Sequence, residues 1–170
     1  MVKANEKPRD LFMNFAAVKA SFTANPAVMV KEELGTGLSI RGALIWLVHL
    51  IEFDVPGMRD DSINARLDVA LSTKKGLGVM PRLDDDGCLA VYSDLVLPSA
   101  AGQYHQLAAG ALRQSFLPPI PLASPAIHLY AKSESNDPGL ASDDIYARLG
   151  FTTVELTMAV YTEIAETWGW

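Results

Sequence analysis

The sequence predicts an all-β chain: an antiparallel β-sandwich with one short helix at its C-terminal end. Apolar and polar residues alternate with period two in several separate segments, and clusters of Gly, Pro, Asn and Asp punctuate them. Only the C-terminal residues switch to a helical period.

The clearest alternation lies between Pro121 and Leu156. Over Ala126–Glu134, Ile127, Leu129 and Ala131 share one face. His128, Tyr130, Lys132 and Glu134 share the other, so the segment reads as a half-buried strand with His128 at the surface. Beyond the polar break Asn136-Asp137-Pro138-Gly139, Ile145, Ala147, Leu149 and Phe151 alternate with Tyr146, Arg148, Gly150 and Thr152. This predicts a second strand, antiparallel to the first and joined to it as a hairpin. A lone hairpin is marginal in water, so upstream strands must cover its apolar face.

In chain order, residues 1–20 place Leu11, Phe12, Phe15 and Val18 at helix-like spacing, which predicts an N-terminal arm or short helix. Residues 21–170 then form a single sandwich domain. Phe22 to Val30 reads as extended chain with Pro26 at an edge or bend. Leu38 to Val55 is the longest apolar segment. Its even positions Leu38, Ile40, Leu44, Trp46, Val48 and Leu50 form one face, and Ile45, Leu47, Ile51 and Phe53 make the other apolar too. A strand buried on both sides, by a second sheet or a neighbouring subunit, needs that composition, and a buried helix is the competing reading. Ile63 to Leu71 and Cys88 to Leu97 alternate as further strands around a loop-rich stretch. Gln103 to Phe116 is ambiguous, with Leu107, Ala111 and Leu112 suggesting a helix, and Leu117-Pro118-Pro119-Ile120-Pro121 is extended. Tyr161, Ile164, Ala165 and Trp168 lie at i, i+3, i+4 and i+7 behind Thr157, predicting an amphipathic helix over Met158–Trp168.

Composition narrows the function classes. With 49% hydrophobic and 20% charged residues in a chain of 170, this is a packed domain rather than a disordered tail. A net charge of −6 and the lack of a basic arm argue against strong direct nucleic-acid binding. The N-terminus lacks a leader's apolar core, and Ala43 to Ile51 falls short of the ~20 residues a spanning helix needs. The expectation is therefore a soluble, cytoplasmic type of protein with no membrane span. Cys88 is the only cysteine, which excludes an intrachain disulfide and suggests a buried structural thiol.

Reaction chemistry is sparse. Asp84, Asp85 and Asp86 offer oxygen ligands for a hard cation, but three consecutive aspartates followed by Gly87 fit a solvated turn better than a spaced cation loop. Lys74-Lys75-Gly76-Leu77-Gly78 matches neither a phosphate loop nor a dinucleotide fingerprint. His49, His105 and His128 are far apart in sequence and lack zinc spacing. Glu163 and Glu166 fit a solvated helix face, and no nucleophile elbow is present. No catalytic residue, metal site or cofactor is expected. The aromatic residues Phe12, Phe15, Trp46, Tyr161, Trp168 and Trp170 are instead the candidates for contacts between copies, because aromatic rings bury large area at low entropy cost.

In layout the chain resembles the small single jelly-roll coat proteins of viruses. The resemblance spans roughly Phe22 to Trp168. It rests on the early doubly apolar strand, the irregular middle loops and the Pro118-Pro119-Ile120-Pro121 lead-in. The Ala126 to Lys132 strand, the Arg148-Leu149-Gly150-Phe151-Thr152 strand and the terminal Tyr161-Thr162-Glu163-Ile164-Ala165-Glu166 segment complete it. It implies a non-enzymatic jelly-roll subunit that assembles with copies of itself, and with other virion proteins, into a shell. The missing basic arm departs from coats that package their genome directly. Two rivals stand beside this reading: a β-sandwich module binding a small ligand or glycan, and a cupin-like metal enzyme in which the histidines converge with a carboxylate.

Overall fold

A computed structural model of the chain describes residues 7–8, 12–22, 28–39, 43–55, 65–98, 104–133 and 144–167. Among the described residues ten strands form two antiparallel sheets. The first contains β1 (Lys7–Pro8), β2 (Asn14–Ser21), β10 (Asp144–Glu155), β4 (Leu44–Asp54) and β8 (Arg113–Leu122). In it β4 lies between β10 and β8, while β2 and the short β1 follow one another along the far side of β10. The second runs in the order β3 (Val30–Gly35), β9 (Ala126–Ser133), β5 (Ala65–Ser72), β6 (Cys88–Pro98) and β7 (Tyr104–Ala109). Four of the pairs nest by sequence: β5 with β6, β4 with β8 around them, β3 with β9, and β2 with β10 outermost. The chain is thus an antiparallel β-sandwich with a short C-terminal helix.

The core between the sheets follows the sequence periodicity. Ile127, Leu129 and Ala131 of β9 meet Ile145, Ala147, Leu149 and Phe151 of β10, with Leu67, Val69 and Leu71 of β5 beside them. The two terminal strands do not form a hairpin, however, because β9 and β10 belong to opposite sheets. Their apolar faces meet across the sandwich, which satisfies the same burial requirement.

Strand β4 is apolar on both faces for two reasons. Its inner residues Trp46 and Val48 belong to the intersheet core, and so do Ile51 and Phe53. The switch from even to odd positions occurs at a bulge, where Val48 pairs with Phe151, Leu50 pairs with Gly150, and His49 has no opposite residue. On the outer face Ile45 and Leu47 are covered by helix α1 (Met158–Thr167), through Tyr161, Ile164 and Ala165. The second cover is therefore the chain's own helix rather than a neighbouring subunit. Tyr161 N–H donates to the Thr157 carbonyl at 2.9 Å, closing the first helical turn where Thr157 was expected to cap it.

Two other segments depart from expectation. Residues 14–20 form a strand, with Ala16, Val18 and Ala20 facing inward, rather than a helix. Gln103 to Phe116 holds two strands, β7 and the start of β8, separated at Gly110, whose φ of 88° suits a turn residue. Among the described residues no helix is long and apolar enough to cross a membrane.

Candidate functional site

Alternation along the strands of the first sheet places a second set of side chains on its outer face, beyond the area α1 covers. Next to the helix-covered residues, His49 Nε2 and Thr152 Oγ1 share a hydrogen bond at 3.0 Å. The next row runs Phe15, Gly150, Leu50, Ser115 across the four strands, and the one after it Ala17, Arg148, Glu52, Arg113. In this row Arg148 Nε donates to Glu52 Oε2 at 2.7 Å, and its Nη2 donates to the same oxygen. Arg113 Nε stands 3.3 Å from Glu52 Oε1. One carboxylate therefore joins guanidinium groups from strands on either side of it. The Arg148 guanidinium also lies 4.9 Å from the centre of the Phe15 ring.

One row further on, Lys19 lies 5.8 Å from the Tyr146 ring centre and pairs with Asp144 Oδ2 at 2.7 Å. Asp144 Oδ1 also accepts from Ser21 Oγ at 2.6 Å. The hydrogen bond from Lys19, followed by that from Ser21, holds the Asp144 carboxyl below its usual range, and the bond to Asp144 raises Lys19 in return. Both groups are at the surface, so the pair contributes little to stability. The row Ala17, Arg148, Glu52, Arg113 and the neighbouring pair Tyr146 and Asp54 line a shallow groove of about 540 Å³, together with Leu112 and others. Phe12 is 81% exposed, and Met13 and Phe15 are exposed as well.

The aromatic residues expected at contacts divide into groups. Phe12, just before β2, and Phe15, within it, lie on the outside. Trp46 is 7% exposed and Tyr161 1%, so both belong to the chain's own interior, where the Tyr161 hydroxyl donates to the Ala123 carbonyl at 3.3 Å. Trp168 and Trp170 lie outside the described residues. Leu117, 98% exposed on the β8 edge strand, was not singled out by the sequence because it sits in an extended proline-rich stretch without alternation.

The histidines stand in different places: His49 on the outer face of the first sheet, His128 on the outer face of the second, and His105 on β7. Among the described residues no three His, Cys, Asp or Glu side chains gather where they could hold a metal ion. His128 is not at the surface. It and Tyr130 are buried because the β5–β6 loop folds over them, fastened by the Tyr130 hydroxyl donating to the Lys74 carbonyl at 2.6 Å. Burial pushes His128 below its ordinary value, against the opposing pull of Glu33 3.8 Å away. In the same loop Asp85 accepts the Arg82 N–H at 2.7 Å, and the Asp85 carbonyl accepts the Cys88 N–H at 3.1 Å, so the aspartates form a self-bonded turn. Half-burial, then the charge of Asp85, raises the Cys88 thiol to about 11, which disfavours a reactive thiolate.

No protein-family model matches the chain, and no curated protein matches it as a relative.

Proposed function

We propose that the protein is a self-assembling coat subunit of jelly-roll type, a structural protein of a virion rather than an enzyme. The observation that carries this reading is the nested pairing of the strands: β5 with β6, inside β4 with β8, inside β3 with β9, inside β2 with β10. A long hairpin wound in this way is the connectivity of jelly rolls, an architecture that shell-forming subunits share with lectins and cupins. Exposed apolar residues favour the shell over its rivals. Phe12 and Leu117 stand almost fully in water, and burying one such side chain between copies is worth roughly 1.5–3 kcal/mol. Among the described residues strands β8, β3 and β7 stand at the ends of their sheets, where a neighbouring copy can approach.

Assembly in this reading is driven by burial of these apolar groups, with the N-terminal strand and the C-terminal Trp168 and Trp170 as contacts. The deciding experiment is the mass of purified particles by light scattering, with negative-stain images. Closed particles or tubes are expected. A monodisperse monomer or dimer that persists across salt and pH overturns the proposal. Replacing Trp168 and Trp170 with Ala should weaken assembly and leave the fold intact, as read by circular dichroism.

A further inference from the structure

We propose that the groove on the outer face of the first sheet binds a neutral saccharide. Its ionic lining consists of two cations, Arg113 and Arg148, and two carboxylates, Glu52 and Asp54. An anionic ligand meets the carboxylates, and a cationic ligand meets the guanidinium groups. A flat apolar partner would strip water from all four charges and return no hydrogen bond, which is costly. A polyol suits the site because each hydroxyl both donates and accepts, so one ring can satisfy guanidinium and carboxylate together.

The groups are also prepared for such a ligand. Glu52 holds Arg148 and Arg113 from strands on either side, so both guanidinium groups are positioned before anything binds. Arg113 meets Glu52 through Nε, is 70% exposed, and has further N–H donors on its terminal nitrogens. Asp54 is exposed, in register with Tyr146, which is 39% exposed and has the Lys19 ammonium 5.8 Å from its ring centre, so the part of the ring left in water offers a surface for the apolar face of a sugar. The volume of about 540 Å³ falls in the ordinary range for small-molecule sites.

The inference does not depend on the coat reading, and particle mass, measured separately, tests that reading without touching this one. Saturation-transfer NMR on the full chain would use lactose, maltose and cellobiose as neutral probes and N-acetylneuraminic acid as the anionic one. Transfer to at least one neutral disaccharide is expected, with at least tenfold weaker binding in both Arg113→Gln and Tyr146→Ala. Both positions are at the surface, and circular dichroism checks each fold. No transfer to any neutral probe, stronger transfer to the acid, or binding unchanged in both variants overturns the proposal.

Discussion

Trp46 of β4 and Phe151 of β10 stack with ring centroids 3.7 Å apart and planes 14° from parallel. The pair lies on neighbouring strands, at the point where the β4 bulge moves the inward register from even to odd positions. Its energetic role is therefore to fill the interior beside an irregularity that would otherwise leave a void. Trp46→Ala and Phe151→Ala should each destabilise the fold by about 3–5 kcal/mol in urea titration, and the double variant should lose less than the sum. A Trp46→Ala protein with the parent's unfolding midpoint would show that the ring is not part of the core.

Gly110 and Gly87 test the backbone. Both have positive φ, 88° and 80°, where a side chain costs about 1–2 kcal/mol. A Cβ at Gly110 would lie 2.7 Å from the Val91 carbonyl oxygen, which is backbone and cannot step aside. At Gly87 it would lie 2.5 Å from the Thr73 hydroxyl, a side-chain atom that can move aside by giving up its 3.3 Å hydrogen bond to the Gly87 carbonyl. Gly110→Ala should therefore lower the thermal midpoint more than Gly87→Ala. The reverse order would mean that the turn between β7 and β8 shifts freely.

What could be read from the sequence, and what could not, follows from range. The inward faces of β5, β9 and β10 were legible because period-two alternation is local and each strand has one apolar side. The partners of β9 and β10 were not, because the nested pairing joins segments far apart in sequence, such as Ser21 and Asp144. Residues 11–20 satisfy both periods: Phe12 and Phe15 suggested a helix, yet Ala16, Val18 and Ala20 are the inward set of a strand. Buried Tyr130 and His128 were misplaced because a loop, not a strand, covers them. The Arg148–Glu52–Arg113 row was invisible for the same reason as the strand order, since it draws on three strands that only the fold brings together.

His128 makes stability depend on pH in a defined direction. Burial under the β5–β6 loop lowers its folded value below 6.5. Lys75 and Lys31 act the same way, Glu33 opposes them, and the folded chain keeps the ring neutral where the unfolded chain takes up a proton. The contribution is therefore fully present above about pH 6.5 and declines as pH falls below it toward the folded value. The thermal midpoint should drop as pH falls below about 6.5, and His128→Gln should remove most of that dependence. Asp144, held low by Lys19 and Ser21, acts in a separate window, below its ordinary 3.8. An unchanged pH profile in His128→Gln would place the acid sensitivity elsewhere.

Under the coat proposal, assembly and folding separate most cleanly at the two most exposed large apolar side chains among the described residues. Phe12 and Leu117 are 81% and 98% exposed, so replacing both with Ser removes little that the single chain buries. Surface changes of this kind usually stay within about 0.5 kcal/mol of the parent. In a shell each lost contact recurs in every copy, so a modest deficit per subunit raises the concentration needed for assembly many-fold. Phe12→Ser with Leu117→Ser should keep the parent's circular dichroism and thermal midpoint while shifting light scattering from particles to small species. Particles that form at the parent's concentration would remove these residues from the contacts and leave the C-terminal tryptophans to supply them. A variant that loses both assembly and thermal stability would instead show that the segment before β2 and the β8 edge belong to the fold itself.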